Sequence, residues 1–379
     1  MDSVSISIGN FALDLFKKLD QSSQGQNLFI SSWSISSALS MVYLGARNNT
    51  ATEMARVSRL DASERVHSEF QKLIEEINQP RSTYLLKTAN RLYGEKTFPF
   101  LSEYLQLVKK YYHAEPQSVD FLTAAEVVRG QINSWVEKQT DNKITNLLPN
   151  GAVDSRTALV LVNAMYFKGQ WKTRFQESDT TEMPFRLSKT KSKPVKMMFL
   201  KNKFRTFFIE TLKVTILELP YVNDELSMFI LLPEDITDET TGLELLEKEL
   251  TYERLSTWTS PEMMDQMEVA VHLPRIRLEE SYNLRSTLSS MGMTDAFSQS
   301  RANFTGMSKG DNLFLSEMYH KSFVEINEEG TEAAAASGAV VVTRSSQLPM
   351  SVKADHPFVF FIRHNTTKSV MFIGRFVSP

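Results

Sequence analysis

The sequence contains no cysteine. That absence removes disulfide staples, thiolate metal sites and cysteine nucleophiles together, and it fits a reducing compartment. No stretch approaches the roughly 20 consecutive apolar residues of a bilayer span. Met1-Asp2-Ser3-Val4-Ser5-Ile6-Ser7-Ile8 lacks both the basic start and the continuous apolar run of a cleaved leader. Nor does charge of one sign dominate. The 42 Lys and Arg stand against 45 Asp and Glu, and a net charge of −3 predicts no broad attraction to nucleic acid or an anionic membrane. The usual signatures of catalysis are absent as well: no Gly-x-Ser-x-Gly elbow, no phosphate-binding P-loop, no Gly-x-Gly-x-x-Gly after a strand and no His-Glu-x-x-His. The histidines His67, His113, His272, His320, His356 and His364 are scattered, which favours satisfied structural residues over bases or ligands. No enzyme, metal site or cofactor is expected.

What remains is an ordinary globular composition, 42% hydrophobic and 23% charged over 379 residues, ample for a large core. No linker, repeat or low-complexity tract divides it; the length permits two or three domains or a single large α+β domain over 1–379. Helical spacing predicts helices over 3–19, 34–44, 50–60, 63–77, 101–112, 123–140, 243–258 and 282–291. Alternation or continuous apolar runs predict strands over 27–31, 83–93, 157–167, 214–219, 226–232, 269–278 and 313–328, with Val119-Asp120-Phe121 as a strand end. Pro274 inside one of these implies an edge or a bulge. Lys189, Lys191, Lys193, Lys196, Lys201 and Lys203 make a basic run. It reads either as a polyanion patch or, more commonly, as a solvated hairpin. Asn-x-Ser/Thr triplets begin at Asn48, Asn303 and Asn365.

The segment from Gly330 to Ser345 stands apart. A half-buried strand pattern, Phe323-Val324-Glu325-Ile326-Asn327, leads into Ala333-Ala334-Ala335-Ala336, which favours helix, and then Val340-Val341-Val342, which favours strand. Extended, Thr331, Ala333, Ala335, Ser337, Ala339 and Val341 would share one small, uncharged face while Glu332 points away, so the segment could enter a sheet without burying an ion. The bland alternative is a surface loop. Arg344 near its far end suits the acidic specificity pocket of a trypsin-like protease.

Asn327-Glu328-Glu329-Gly330-Thr331-Glu332-Ala333-Ala334-Ala335 resembles the hinge of the serpins. Ala354 to Ile362, with Gly374-Arg375-Phe376, is similar to that family's closing signature, and Asn163 to Trp171 is a further close match. The segment at Ser31 departs from the pattern, with Ser32 where the family has Pro. The short Met-Asp start and the end at Pro379 look like the intracellular, ovalbumin-type branch, which implies a cytoplasmic protein, with nuclear or unconventionally secreted fates as alternatives. Some relatives carry a long insertion between the helices that meet after Leu60, associated with nuclear entry; this chain has none there.

The resemblance implies an α+β fold with three β-sheets, about nine helices and an exposed reactive-centre loop, the hinge and loop occupying 328–350. It implies a hinge at Gly330, Thr331, Glu332, Ala333, Ala334, Ala335 and Ala336, and a reactive bond between Arg344 and Ser345. Val342 and Met350 are the rival positions for other protease specificities. It implies a shutter of Ser31, Ser34, Asn163 and His320, and a breach of Trp171, Arg275 and Glu328. The implied activity is suicide inhibition of a trypsin-like serine protease, held in a covalent complex after the loop enters the central sheet. The chain would be a monomer, with loop-sheet polymerisation as a hazard. A non-inhibitory serpin serving in storage, as a chaperone or as a carrier, and a polyanion or chromatin binder, are the alternatives.

Overall fold

The computed structural model describes residues 2–63, 65–79, 84–310, 312–329 and 349–379. The hinge residues Gly330, Thr331, Glu332, Ala333, Ala334, Ala335 and Ala336 and the bond between Arg344 and Ser345 lie outside the described residues.

The chain opens with α1 (Asp2–Ser22), which turns Val4, Ile8, Phe11, Leu15 and Leu19 inward at helical steps. The strand β1 (Leu28–Ile30) leads into α2 (Ser32–Tyr43), buried along nearly its whole length, and then come α3 (Asn48–Val57) and α4 (Arg65–Ile77). Next are β2 (Tyr84–Glu95), α5 (Ser102–Tyr112), β3 (Gln117–Val119) and α6 (Phe121–Gln139). Phe121, expected at a strand end, instead opens α6. Asp120 caps that helix by accepting from Thr123 N, and Glu95 Oε2 accepts from Phe121 N at 2.6 Å and Leu122 N at 3.0 Å, satisfying amides a helix start leaves open.

The strands β4 (Leu159–Gly169), β5 (Thr181–Arg186), β6 (Ser192–Ile209), β7 (Val214–Pro220) and β8 (Leu226–Pro233) follow. The single helix expected over 243–258 is two, α7 (Glu244–Glu249) and α8 (Tyr252–Trp258). Leu250 turns extended at ψ 124° and Thr251 caps α8 through Arg254 N. The strand expected over 269–278 is also two. Pro274 stands where one side of its strand is unpaired, since pairing on that side stops at His272; it ends β9 (Asp265–Pro274), and the chain crosses to a different sheet as β10 (Ile276–Asn283). Tyr282 and Asn283, expected in a helix, complete β10 before α9 (Arg285–Ser290). The chain then forms β11 (Leu315–Ile326), β12 (Met350–Lys353), β13 (Phe358–His364) and β14 (Ser369–Phe376).

The fold is α+β. One sheet has five strands in the order β10-β11-β4-β2-β3. The other nine strands form a ladder shared through β6. The first part of that strand pairs β5, Met197 to Thr206 pairs β9, and Arg205 to Ile209 pairs β7. Two sheets therefore meet in one long strand, β5-β6-β9-β12 on one side and β6-β7-β8-β13-β14-β1 on the other, which makes three sheets in all. The five-stranded sheet is covered on both faces. Along β4, Leu159, Leu161, Met165 and Phe167 face the main core, while Val160, Val162, Ala164 and Tyr166 lie under α6 with Val128, Ile132 and Val136. This two-sided burial is why β4 reads as a continuous apolar run.

Candidate functional site

The centre of the five-stranded sheet is a seam where β4 and β11 run parallel, paired from Leu315 with Leu159 to Val324 with Phe167. Above Val324 the two strands part. Glu325 and Ile326 pair with Arg277 and Ile276 of β10, and Lys168 and Gly169 pair with Leu85 and Tyr84 of β2. The seam is thus open at the end where β11 leads toward Gly330.

Halfway down, His320 of β11 and Asn163 of β4 face each other in register. His320 is fully buried; its Nδ1 lies 2.6 Å from Asn163 Oδ1, and its Nε2 accepts the Ser31 amide at 3.2 Å. Acceptance at Nε2 leaves the proton of the neutral ring on Nδ1, where it donates to Asn163. Burial drives the His320 pKa down to about 3, so the ring is uncharged at neutral pH. Ser34 Oγ lies 2.7 Å from the same Asn163 oxygen, Asn163 Nδ2 donates to Ser34 O at 3.3 Å, and Ser31 Oγ donates to Met371 O. The start of α2 is in this way bonded to both strands of the seam by groups that carry no charge.

At the open end, Trp171 stacks on Tyr221 at 4.5 Å and donates from Nε1 to Asn327 O at 2.9 Å. Arg275 holds the buried Glu328 in a forked ion pair, Nη2 to Oε1 at 2.7 Å and Nε to Oε2 at 3.0 Å, and Thr180 Oγ1 donates to Oε1 at 2.6 Å. Burial pushes the Glu328 carboxyl up, but the hydrogen bonds from Arg275 and Thr180 outweigh it and hold the group below its ordinary value. Arg275 itself is partly exposed, so this pair is a clasp at the rim rather than an interior ion pair.

The sequence matches the family description Serpin (serine protease inhibitor) over residues 7–379. The chain is a serpin. It is 53% identical to Serpin B10 of Homo sapiens and 51% identical to the leukocyte elastase inhibitor of Equus caballus, each over 100% of both chains. The alignment with human Serpin B10, or bomapin, runs over 401 positions against 379 residues here, so that relative carries residues this chain lacks. Among solved structures, uncleaved ovalbumin superposes with a TM-score of 0.92 at 42% identity, and a loop-inserted, cleaved ovalbumin mutant with 0.89 at 40%, each covering 100% of both chains.

Within this serpin the residues of the expected shutter, Ser31, Ser34, Asn163 and His320, meet in one buried cluster; of those of the expected breach, Arg275 and Glu328 form an ion pair and Trp171 bonds to the neighbouring Asn327. Ser32, standing where the family has Pro, donates to Val370 O at 2.8 Å and so ties the start of α2 to β14. Several partners escaped the sequence reading. Ser322 Oγ donates to Phe29 O at 2.7 Å and Tyr282 Oη accepts from Phe29 N, binding β1 across the foot of the shutter. Thr180 and Tyr221 complete the breach from distant segments, and no local pattern marks either. Three of the six lysines of the basic run are paired: Lys189 with Glu239 at 2.7 Å, Lys196 with Glu182 at 3.6 Å and Lys201 with Glu268 at 3.3 Å. Among the described residues no helix is long and apolar enough to cross a membrane.

Proposed function

We propose that this serpin inhibits trypsin-like serine proteases as a suicide substrate. The protease serine attacks the carbonyl of Arg344, the Ser345 amine leaves with a proton from the protease, and an ester joins the two proteins. Gly330 to Arg344 then enters the seam between β11 and β4 as a new strand. The observation that carries this reading is the seam: two parallel strands paired directly, already parted at the end next to Glu328. A strand returning from β11 would run antiparallel to both neighbours. One parallel ladder would be replaced by two antiparallel ladders, the more stable arrangement per residue. Fifteen residues, from 330 to 344, would carry the ester roughly 50 Å down the sheet at about 3.3 Å each.

The breach would hold the seam's open end until cleavage, and the shutter would exchange its hydrogen bonds as the new strand passes. We place hinge and loop at 328–350 within one domain spanning 1–379, acting as a cytoplasmic monomer. Its relation to a leukocyte elastase inhibitor favours an inhibitor over a storage or carrier role, as do the small hinge residues Thr331, Ala333 and Ala335. The paired lysines weigh against a polyanion binder.

Incubation with trypsin tests it. The expected product is an SDS-resistant complex, with release of a peptide beginning at Ser345. Cleavage after Arg344 without any complex would contradict inhibition while leaving the cleavage position intact. Thr331→Arg should lower the yield of complex by about tenfold or more, because a charge must be buried at the first step of insertion.

A further inference from the structure

The seam between β4 and β11 has a further fastening at its foot, the end away from Glu328. There the ladder is irregular. Leu315 faces Leu159 and Glu317 faces Val160, so Ser316 is an extra residue with no partner of its own on β4, a bulge in β11. Ser316 is buried, and its side chain takes over part of the pairing that its backbone does not make. Its Oγ accepts from Ala158 N at 2.9 Å and from Leu159 N at 3.5 Å. The bulge is itself held from β10 and α9. Arg285 Nη1 donates to Ser316 O at 3.0 Å and to Glu317 Oε1 at 3.4 Å, and Asn283 Nδ2 donates to Glu317 Oε2 at 2.7 Å.

Higher in the seam a strand entering between β4 and β11 exchanges one backbone partner for another. At the foot the amides of Ala158 and Leu159 are held by a hydroxyl instead, and a carbonyl of an entering strand can satisfy the same amides. The hydroxyl bonds belong to the closed seam alone. Where the loop would reach them follows from counting. With a connecting turn at 327–329, Gly330 would face Ile326 and each later residue would face one residue lower on β11, which brings Val340 to the level of Ser316. Gly330 to Ala339 can then enter with the foot still fastened, and Val340 to Arg344 cannot.

We propose that Ser316 is a positioning residue that fastens the foot of the closed seam and times the last stage of loop entry, an inference that rests on the inhibitory reading above. Entry of the hinge alone leaves the fastening in place, so an uncut loop that dips into the open end is kept out of the rest of the seam. After the cut, passage of Val340 displaces the Ser316 hydroxyl from the two amides, whose bonds pass to the new strand. Because the hydroxyl bonds exist only before entry, they stabilise the closed form and contribute nothing to the inserted one. Arg285 serves the same end indirectly, by holding the bulge through the Ser316 carbonyl.

Melting of Ser316→Ala, both intact and clipped once after Arg344, tests the fastening against the unaltered chain in the same two forms. The intact variant should melt roughly 2–4 °C lower, since two buried amides lose an acceptor, while the clipped variant should match the clipped parent within about 1 °C. Ser316→Thr, which keeps the hydroxyl, should restore the intact value. Timing is read with synthetic peptides and a native gel. A copy of residues 331–339 should enter the intact parent and the intact Ser316→Ala at the same rate, whereas a copy of residues 331–344 should enter the variant at least threefold faster. The proposal is overturned if Ser316→Ala lowers both forms equally, as a merely structural residue would, if it leaves the intact form unchanged, or if the variant takes up both peptides with the same gain in rate. An unaltered chain that forms no trypsin complex and gains no stability on clipping refutes the inhibitory reading, and this inference falls with it; failure of the variant alone refutes only the role of Ser316.

Discussion

The buried cluster at His320 and the ion pair at Glu328, the expected shutter and breach, bond two levels of one seam by opposite means. Halfway down, His320, Asn163, Ser31 and Ser34 are buried and uncharged, and every hydrogen bond is made between neutral groups. At the open end, the partly exposed Arg275 holds the buried Glu328 as an ion pair. In the proposed mechanism the difference follows from what each must do when the seam opens. When the rim pair breaks, Arg275 keeps its contact with water, whereas an ion released in the middle of the sheet would face a large desolvation cost. Neutral groups in the middle can re-pair with an incoming backbone without that cost.

The largest expected effect separates the two locks. Asn163→Ala takes away the partner of the buried His320 N–H and the side-chain donor to Ser34 O, and should lower native stability by about 2–3 kcal/mol. A urea midpoint read beside that of Glu328→Gln would show it, since the breach variant should lose only about 1 kcal/mol, its arginine being open to solvent. Equal losses would erase the distinction.

Acid should act on the shutter before the breach. His320 titrates at about 3 when folded, and its ordinary value is 6.5, so above 6.5 its contribution to stability is complete. As pH falls below 6.5 the unfolded chain takes up a proton that the folded chain refuses, and stability drops by about 1.4 kcal/mol per pH unit until about 3. Between pH 7 and pH 5 the loss is roughly 2 kcal/mol. His67, lowered to about 4 by burial, adds a loss of the same sign. His320→Gln should flatten the profile in this window, whereas His67→Phe should flatten it only in part. Glu328 behaves differently: its carboxyl is depressed, so its contribution is present above the ordinary carboxylate range and is lost only as pH falls below it. A profile that falls only below pH 4.5 would point to the breach alone.

The smallest effect belongs to the basic hairpin. Lys189→Gln and Lys201→Gln remove exposed ion pairs and should shift stability by less than about 0.5 kcal/mol. Neither should change trypsin inhibition, measured by residual protease activity.

How much of this could be read from the chain depended on how local the signal was. The helix α1 and the strand β4 declare themselves because one face of the first and both faces of the second are filled with apolar side chains. The break between α7 and α8 is hidden, because Leu250 and Thr251 are neither glycine nor proline and only tertiary packing turns them extended. Pro274 was visible, but a missing amide hydrogen does not reveal which sheet the next residue will join. The shutter shows the same limit more sharply. His320 and Asn163 are an ordinary histidine and asparagine until the register of β4 and β11 sets them face to face, and a resemblance between families could suggest that meeting where spacing could not.

The central claim is that the closed seam is a stressed arrangement which a severed loop relieves. Melting of the intact chain and of the chain clipped once after Arg344, under the same buffer, measures that stress directly. The account predicts that the clipped chain melts tens of degrees higher, its sheet completed by the new strand. Identical melting curves for the two would contradict it.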